Sequence, residues 1–184
     1  MLFALIGSSG SGKTTVGESV FGKENEIVSF TTRNKREQEI DGVDYHFMTL
    51  DEFNHALDTN ELIEYSEYSG NFYGITKEEL ESKTNKGIGY VVIDYNGYTQ
   101  LKNILKGDVT GVFVDVDRQT VYERLVNREE TKDFIEKRMS LFDEEQLLKD
   151  KVDFVLDNNS SLESTIDNFN KFILELWVRE LLKF

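Results

Sequence analysis

The chain of 184 residues has no cysteine, no proline and only two histidines. The missing cysteine excludes disulfide bonds, thiolate zinc sites and a thiol nucleophile. His46 and His55 lie nine positions apart, which is not a metal-ligand spacing. The missing proline excludes rigid proline-rich linkers. No run approaches the roughly 18 apolar residues that a membrane-spanning helix needs, so we expect no membrane partner.

Positive charge is also scarce, because 35 acidic side chains outnumber 21 basic ones and leave a net charge of −14. Such a surface argues against nucleic acid as a partner, since binding to a polyanion begins with basic residues. The apolar start at residues 1–6 is too short for a signal peptide and lacks a basic flank. Length and composition together are typical of one cytoplasmic α/β domain.

The most informative segment is a glycine-rich run that fits the pattern G-x-x-x-x-G-K-[ST]. It consists of Gly7, Ser8, Ser9, Gly10, Ser11, Gly12, Lys13 and Thr14. An apolar run at residues 2–6 precedes it, and a helical pattern continues through residues 15–21. A strand, a loop and a helix N-terminus in this order indicate a phosphate-binding loop, whose backbone N–H groups point at the anion. A chance match in a serine–glycine linker is the alternative, and the flanking strand and helix argue against it.

In such a loop, Lys13 reaches the β- and γ-phosphates of a nucleotide, and the Thr14 hydroxyl binds Mg²⁺. We include Thr15 among the expected nucleotide contacts. A triphosphate bound to an acidic chain needs local positive charge. The arginines do cluster in the sequence, as Arg33 with Arg36, and as Arg124 with Arg128 and Arg138.

Strands and helices alternate along most of the chain. Apolar runs predict buried parallel strands at residues 2–6, 27–30, 90–93, 110–114 and 154–156. Helical periodicity predicts helices at residues 13–21, 98–106, 118–127, 133–148 and 162–182. Shorter elements between residues 31 and 86 predict a small α+β insertion into a core formed by residues 1–30 and 87–184. We interpret the charged segment at 128–134 as a lid, with a solvated loop as the alternative.

Further motifs resemble the guanylate kinase family in order and spacing. Residues 29–47 match the pattern S-x-T-T-R-x-x-R followed by E-x-x-G-x-D-Y-x-F. Other matching segments are residues 61–64, 69–74, 93–97, 124–128, 135–138 and 154–159. The resemblance is specific, because related P-loop kinases share only the first motif. It implies a P-loop NTPase fold with a central parallel sheet, and transfer of the γ-phosphoryl group of ATP to GMP or dGMP.

The resemblance also implies how the acceptor's phosphate is bound. Arg33 and Arg36 hold this phosphate, and the hydroxyl groups of Tyr45 and Tyr73 add hydrogen bonds. The guanidinium fork of arginine suits phosphate bidentately. For the two tyrosines, cross-strand packing is the alternative that the residues alone favour.

Base recognition is assigned by the same resemblance to Glu64, which accepts hydrogen bonds from N1–H and the 2-amino group of guanine. Ser29 assists at this edge of the base. Asp94 ends an apolar strand and is expected to hold Mg²⁺ together with Thr14, or to orient the acceptor. Without the resemblance, Glu64 would be interpreted as a solvated strand residue.

Catalysis is assigned to cationic side chains, namely Lys13, Arg36, Arg128 and Arg138. Arg138 is the best candidate for contact with the transferred phosphoryl group, and Arg124 is expected at the ATP site. A transition-state arginine can be worth about a thousandfold or more in rate.

Some positions depart from the family pattern. Where a serine or threonine usually donates to guanine O6, this chain has Ile75, followed by Thr76. Either Thr76 is shifted inward or O6 loses a donor. Two other functions stay open: a P-loop kinase for another small acceptor, such as a different deoxynucleotide or a sugar phosphate, and an inactive binding module of the guanylate kinase type. Monomer and homodimer are both compatible with the sequence.

Overall fold

The computed structural model describes residues 1–68, 70–85, 87–129 and 131–182. The strands are β1 (Leu2–Ile6), β2 (Phe30–Thr31), β3 (His46–Phe47), β4 (Leu62–Tyr68), β5 (Asn71–Thr76), β6 (Gly89–Val92), β7 (Val109–Asp115) and β8 (Phe154–Asp157). The α-helices are α1 (Lys13–Phe21), α2 (Leu50–Asp58), α3 (Lys77–Thr84), α4 (Tyr95–Ile104), α5 (Arg118–Asn127), α6 (Lys132–Gln146) and α7 (Leu162–Leu181). Short 3₁₀ turns lie at Lys23–Asn25 and Lys149–Lys151.

One four-stranded sheet has the strand order β6-β1-β7-β8. β7 and β8 are parallel, with Val112 opposite Phe154 and Asp115 opposite Asp157. All five residues of β1 are buried, as expected for an inner strand that is covered on both faces. Strands that alternate with helices around such a sheet confirm the predicted α/β class.

Only the start of the strand predicted at residues 27–30 lies along this sheet. An isolated parallel bridge joins Glu26 to Tyr90, and β2 belongs to a second sheet of order β3-β2-β5-β4. In that sheet β2 is parallel to β3 and antiparallel to β5. The end of the apolar run was therefore assigned to the wrong sheet, because a short run does not reveal which distant strand it pairs with.

The antiparallel pair of β4 and β5 carries several residues of interest. Glu64 lies opposite Ile75, and Ser66 lies opposite Tyr73. The register shifts between Leu62 and Glu64, which is a bulge of the kind that re-aims side chains next to binding sites. Beyond this bulge, Glu64 and Ser66 are buried and alternate with exposed residues.

The described chain forms two compact units. The first unit comprises residues 1–4 and 24–110, and the second comprises residues 5–23 and 111–184. The predicted division into a core, an insertion and a lid stays a prediction. The two compact units are defined by packing within the chain, whereas the three predicted parts are defined by the ligands that they would contact. In the part of the chain that is described, no helix has both the length and the apolar character that crossing a membrane requires.

Each unit has its own packing. In the first, helix α2 begins with a capping box between Thr49 and Glu52, and its Phe53 is completely buried. In the second, the rings of Phe21 in α1 and Phe169 in α7 meet edge to face, with centroids 5.4 Å apart. A further cluster in this unit contains Val116, Val121, Leu125, Ile135 and Phe142.

Candidate active site

The glycine-rich loop follows β1 and ends where α1 begins at Lys13. Gly7, Gly10 and Gly12 have φ angles of 141°, 86° and 95°, which L side chains rarely adopt. A Cβ atom at Gly7 would lie 2.7 Å from the carbonyl oxygen of Val114. The glycines are therefore required both for the turn itself and for its close approach to β7.

Two side chains of the second unit hold this loop by its carbonyl groups. Asn158 Nδ2 donates to the oxygen of Ser11 at 2.7 Å, and the Thr165 hydroxyl donates to Asn158 Oδ1 at 3.0 Å. Arg124 Nη1 donates to the carbonyl oxygens of Gly10 and Ser11 at 3.1 and 3.2 Å. Carbonyl groups bonded to protein donors do not face a bound anion, which suits an anion-binding loop. Sequence reasoning gave Asn158 and Thr165 no role, although Asn158 follows directly on a buried strand.

Polar groups of the loop are well placed for ligand oxygens. Lys13 Nζ donates to the carbonyl oxygens of Gly7 at 2.7 Å and Ser8 at 3.0 Å. The hydroxyl oxygens of Ser8 and Ser11 are buried and have no hydrogen-bond partner among the described residues. A buried polar atom without a partner in a native protein usually has a ligand or a water as its partner. Ser9, the remaining serine of the motif, is partly buried, and Thr14 and Thr15 are exposed.

Three of the predicted catalytic residues act on one another in the second unit. Burial lowers the pKa of Lys13 to about 8, Glu145 opposes this shift, and the positive charges of Arg138 and Arg128 add to it. The Arg138 guanidinium lies 4.8 Å over the ring of Phe134, while Arg128 is exposed at the end of α5. The positive charges of Lys13, Arg138 and Arg128 repel one another. An anion of high charge would relieve this repulsion, so the three side chains favour its binding. Sequence reasoning missed Glu145, which carries no distinctive motif.

In the first unit, aromatic rings enclose Arg33. Its Cζ atom lies 5.2 Å from the ring centroid of Tyr45 and 5.6 Å from that of Phe47. The rings of Tyr45 and Tyr73 are 5.9 Å apart. Burial, with Tyr73 adding to the effect, raises the pKa of Tyr45 to about 12, so its hydroxyl is protonated and can donate at neutral pH. Arg36, the fourth predicted catalytic residue, also lies in this unit, and half of its side chain is exposed.

Sequence reasoning gave no role to Glu39, which contacts both arginines. Its carboxylate accepts hydrogen bonds from Arg33 Nη1 at 3.0 Å and Nη2 at 2.6 Å, and from the backbone N–H of Arg36 at 2.8 Å. Burial raises the pKa of Glu39, but the hydrogen bonds from Arg33 and Arg36 and the positive charges of both arginines together outweigh burial and hold this pKa below its usual value. The two partners are therefore both charged at neutral pH. Its spacing after the arginines was the available signal in the sequence.

Glu64 is a buried carboxylate with 3% of its surface exposed. Its Oε2 atom has no hydrogen-bond partner within the described ranges, and a Cβ atom at Gly97 would lie 2.6 Å from it. Burial, and to a smaller extent the negative charge of Asp94, raises the pKa of Glu64 to about 8. A hydrogen bond with the backbone of Ile75 lowers this pKa but does not cancel the rise. An acid with a strongly perturbed pKa and an unused oxygen is a candidate ligand group. The interpretation of Glu64 as a solvated strand residue is wrong.

Asp94 lies beside Glu64 and caps helix α4. Its Oδ1 accepts from the Gly97 N–H at 2.8 Å, and its Oδ2 accepts from the hydroxyl of the buried Ser66 at 2.5 Å. Both carboxylate oxygens are thus engaged within the first unit. Ser29, predicted at the same edge of the base, is buried directly before β2.

The magnesium prediction stays a prediction for both of its residues. The described residues contain no group of three or more histidine, cysteine or acidic side chains that could hold a metal ion. The exposed Thr14 hydroxyl nevertheless suits Mg²⁺, which keeps several waters and takes other oxygens from substrate phosphates. Asp94 is engaged by Ser66 and Gly97, so its role as a magnesium ligand stays a prediction that these contacts do not favour.

The two positions that depart from the family pattern offer no obvious donor to guanine O6. Ile75 is completely buried. Thr76 is the N-cap of α3, where its hydroxyl accepts from the Glu79 N–H at 3.2 Å. Of the two alternatives, the geometry favours loss of a donor over an inward shift of Thr76.

Comparison with known proteins gives consistent results. The family model "Guanylate kinase" matches residues 2–176. The guanylate kinase of Bacillus subtilis is 34% identical over 183 residues, which cover 95% of this chain and 88% of that protein. The guanylate kinase of Streptococcus pyogenes serotype M3 is 33% identical over 86% of this chain and 78% of its own.

A crystal structure of guanylate kinase from Anaplasma phagocytophilum matches with a TM-score of 0.72 at 26% sequence identity, and the match covers 95% of this chain and 85% of that one. This agreement confirms the predicted P-loop fold. The family model and the relatives confirm the resemblance that the motifs indicated. This chain belongs to the guanylate kinase family.

Proposed function

We propose that this protein transfers the γ-phosphoryl group of ATP to GMP or dGMP and releases ADP with GDP or dGDP. Family membership supports an ATP-dependent nucleoside monophosphate kinase. The observation that carries the choice of base is the buried Oε2 of Glu64, which lacks a partner among the described residues.

The edge of guanine is complementary to this carboxylate. Guanine presents two donors, N1–H and the 2-amino group, to the two oxygens of Glu64. Adenine presents an acceptor at N1 and has no 2-amino group, so with the ionised form of Glu64 it would leave a buried negative charge facing a lone pair. A site built on such hydrogen bonds rejects the wrong analogue strongly.

The reaction itself needs alignment and charge neutralisation more than covalent help. An oxygen of the acceptor's phosphate attacks the γ-phosphorus, the bond from this phosphorus to the β–γ bridging oxygen breaks, and ADP leaves. We assign Arg33, Arg36, Tyr45 and Tyr73 to the acceptor's phosphate. In the other unit, the loop with Lys13 holds the donor's phosphates.

The remaining cations are assigned to the transferred group and its surroundings. Arg138 and Arg128 share their electrostatic environment with Lys13, so they are suited to the charge that spreads over the γ-phosphoryl oxygens. Arg124 supports the loop from its carbonyl side. Residues 128–134, of which Glu130 lies outside the described residues, remain our proposal for a lid, which would exclude water from the reaction.

Mg²⁺ is the proposed cofactor, and it would supply charge neutralisation on the phosphates of ATP. Thr14 would hold the Mg²⁺ ion through its hydroxyl oxygen, since hydroxyl and phosphate oxygens are hard ligands of the kind that this ion prefers. The lack of nucleic acid and membrane partners, the cytoplasmic location and the monomeric or homodimeric state stay predictions.

A coupled assay of ADP release tests the proposed function. We expect turnover with GMP and dGMP, and at least about 100-fold lower kcat/KM with AMP, each measured with saturating ATP and Mg²⁺. Efficient turnover with another monophosphate or a sugar phosphate would favour the rival acceptor. Absence of turnover with every acceptor, in a protein that still binds GMP, would favour the binding module.

The pKa of Glu64 predicts that use of GMP depends on pH. Recognition of N1–H and the 2-amino group requires the ionised carboxylate, but the pKa of about 8 leaves Glu64 mostly protonated at pH 7 in the free protein. At saturating ATP, whose phosphates would pair with the Lys13 ammonium and keep it charged, we therefore expect kcat/KM for GMP to rise by up to about tenfold per pH unit below pH 8 and to level off above it. Measurement from pH 6.5 upward avoids the second ionisation of a phosphate monoester at about pH 6.

The variant Asp94→Asn is the matched comparison for this profile. Asparagine removes the negative charge that helps to raise the pKa of Glu64, so the inflection should move to lower pH. A profile for GMP that stays flat between pH 6.5 and 9 would contradict the assignment of Glu64 as the group that reads the base.

A further inference from the structure

Glu39 connects the two arginines that we assign to the acceptor's phosphate. One carboxylate bonds both terminal nitrogens of Arg33 and the backbone N–H of Arg36, and the Arg36 carbonyl in turn accepts from the N–H of Glu39 at 3.2 Å. The side chains of Glu39 and Arg33 are 15% and 18% exposed. This degree of burial distinguishes the pair from an ordinary surface ion pair.

The contacts of Arg33 divide its guanidinium into two edges. The end of the fork, formed by Nη1 and Nη2, faces Glu39, and Nη1 also donates to the carbonyl oxygen of Asn34 at 2.9 Å. Within the described part of the chain, Nε donates to no acceptor, and Nη2 has Glu39 as its acceptor. Nε and the second N–H of Nη2 form the side edge of the guanidinium, which can bind two phosphate oxygens in parallel.

Other groups fix the same guanidinium from its faces. The ring centroids of Tyr45 and Phe47 lie 5.2 and 5.6 Å from Cζ. The backbone N–H of Arg33 donates to the hydroxyl oxygen of Thr31 at 3.1 Å, which fixes the main chain from which the side chain extends. A long side chain that is already ordered loses less freedom when its ligand arrives. By ordering Arg33, the carboxylate of Glu39 would contribute to the affinity for the acceptor without contacting it.

We propose that Glu39 is a positioning residue for acceptor binding: it holds the end of the Arg33 fork and the Arg36 backbone so that the side edge of Arg33 faces the phosphate of the nucleoside monophosphate. This inference rests on the proposed function, because it concerns the same acceptor site. The opposite possibility is that Glu39 competes with this phosphate for Arg33.

The variant Glu39→Gln tests this role. It keeps the size of the side chain but loses the charge, and its amide nitrogen would face a guanidinium donor. We expect the KM for GMP to rise by about 10- to 100-fold, as for other small misplacements of a substrate-binding group, while the KM for ATP stays within about twofold. Competition by guanosine, which has the base but no phosphate, should be unchanged.

The matched control is Glu37→Gln, which removes the same charge from an exposed position of the same segment. It should leave all of these constants near those of the unchanged protein. An equal KM for GMP in the Glu39 and Glu37 variants would overturn the proposal, and a lower KM in Glu39→Gln would show that Glu39 competes with the phosphate. A parallel loss of guanosine binding would show general damage to the pocket, which also contradicts a positioning role.

Failure of the proposed function gives a different result. In that case the unchanged protein itself would not phosphorylate GMP. If the unchanged protein uses GMP efficiently and Glu39→Gln does so equally well, the inference about Glu39 fails alone.

Discussion

Replacing Lys13 with alanine should lower kcat for GMP by about 100- to 1000-fold, the usual effect of losing one charge-stabilising donor from an active site. We assign the Lys13 ammonium to the charge between the β- and γ-phosphates, and this charge increases in the transition state. The measurement is kcat at saturating ATP and GMP, together with thermal unfolding of the same preparation.

The fold should survive this substitution because the charge of Lys13 is itself unfavourable in the native state. Its pKa falls from 10.5 to about 8, so folding costs free energy for as long as the ammonium is charged, and this cost is present in full below pH 8. Alanine removes the cost along with two hydrogen bonds to loop carbonyls, and we expect a small net change in Tm.

Lys23→Ala is the matched control for Lys13→Ala. Lys23 belongs to the same unit and forms an exposed ion pair with Glu18 at 3.2 Å, which contributes little to stability. Its kcat should stay close to that of the unchanged protein. A folded Lys13→Ala variant with normal kcat would refute the assignment of the loop to catalysis.

Replacing Glu64 with glutamine should lower kcat/KM for GMP by about 100-fold or more. Hydrogen bonds to a charged acceptor contribute about 1.5–3 kcal/mol each, and the amide keeps one acceptor but turns a donor toward a donor of guanine. Glu64→Ala should lose at least as much. The KM for ATP serves as the internal reference, because the loop that binds it belongs to the second unit.

The Glu64→Gln variant should be more stable than the unchanged protein at alkaline pH. The native pKa of Glu64 is raised from 4.5 to about 8, so the native state binds this proton more tightly and loses stability as the pH rises through that interval. Glutamine has no proton to lose. Its advantage in Tm should therefore be largest above pH 8 and should vanish below about pH 4.5. Lower activity without this gain in stability would mean that the pKa of Glu64 is not raised in the native state.

A substitution at Ile75 shows how the structure changes an expectation from sequence. From the family pattern, Ile75→Ser would restore a donor to guanine O6 and improve use of GMP. Because Ile75 is completely buried, serine would instead leave a cavity and bury a hydroxyl, and shortening a buried isoleucine to alanine already costs about 2–5 kcal/mol. The family pattern describes the position but not its packing in this chain.

The local features of the chain were predicted from the sequence with good accuracy. Helices α1 and α5 begin and end where periodicity places them, and the phosphate-binding loop has its expected glycine conformations. Such features depend on residues close together in the chain, since a positive φ or an amphipathic stripe needs no distant partner. The strand predicted at 27–30 was only partly right for the converse reason. Its start bridges β6, but its end pairs with β3 and β5, which are distant in the sequence.

By itself, the sequence determined the family, the α/β class and the loop that binds phosphate, since motifs and periodicity are properties of neighbouring residues. Only the tertiary structure decided the hydrogen-bond partners, the burial and the pKa values of individual side chains. Asn158 bonds a loop residue 147 positions away, Arg33 and Glu39 form a partly buried pair, and Glu64 becomes a buried acid beside Asp94. A pKa depends on desolvation and on charges nearby in space, and neither of these can be read from the order of residues along the chain.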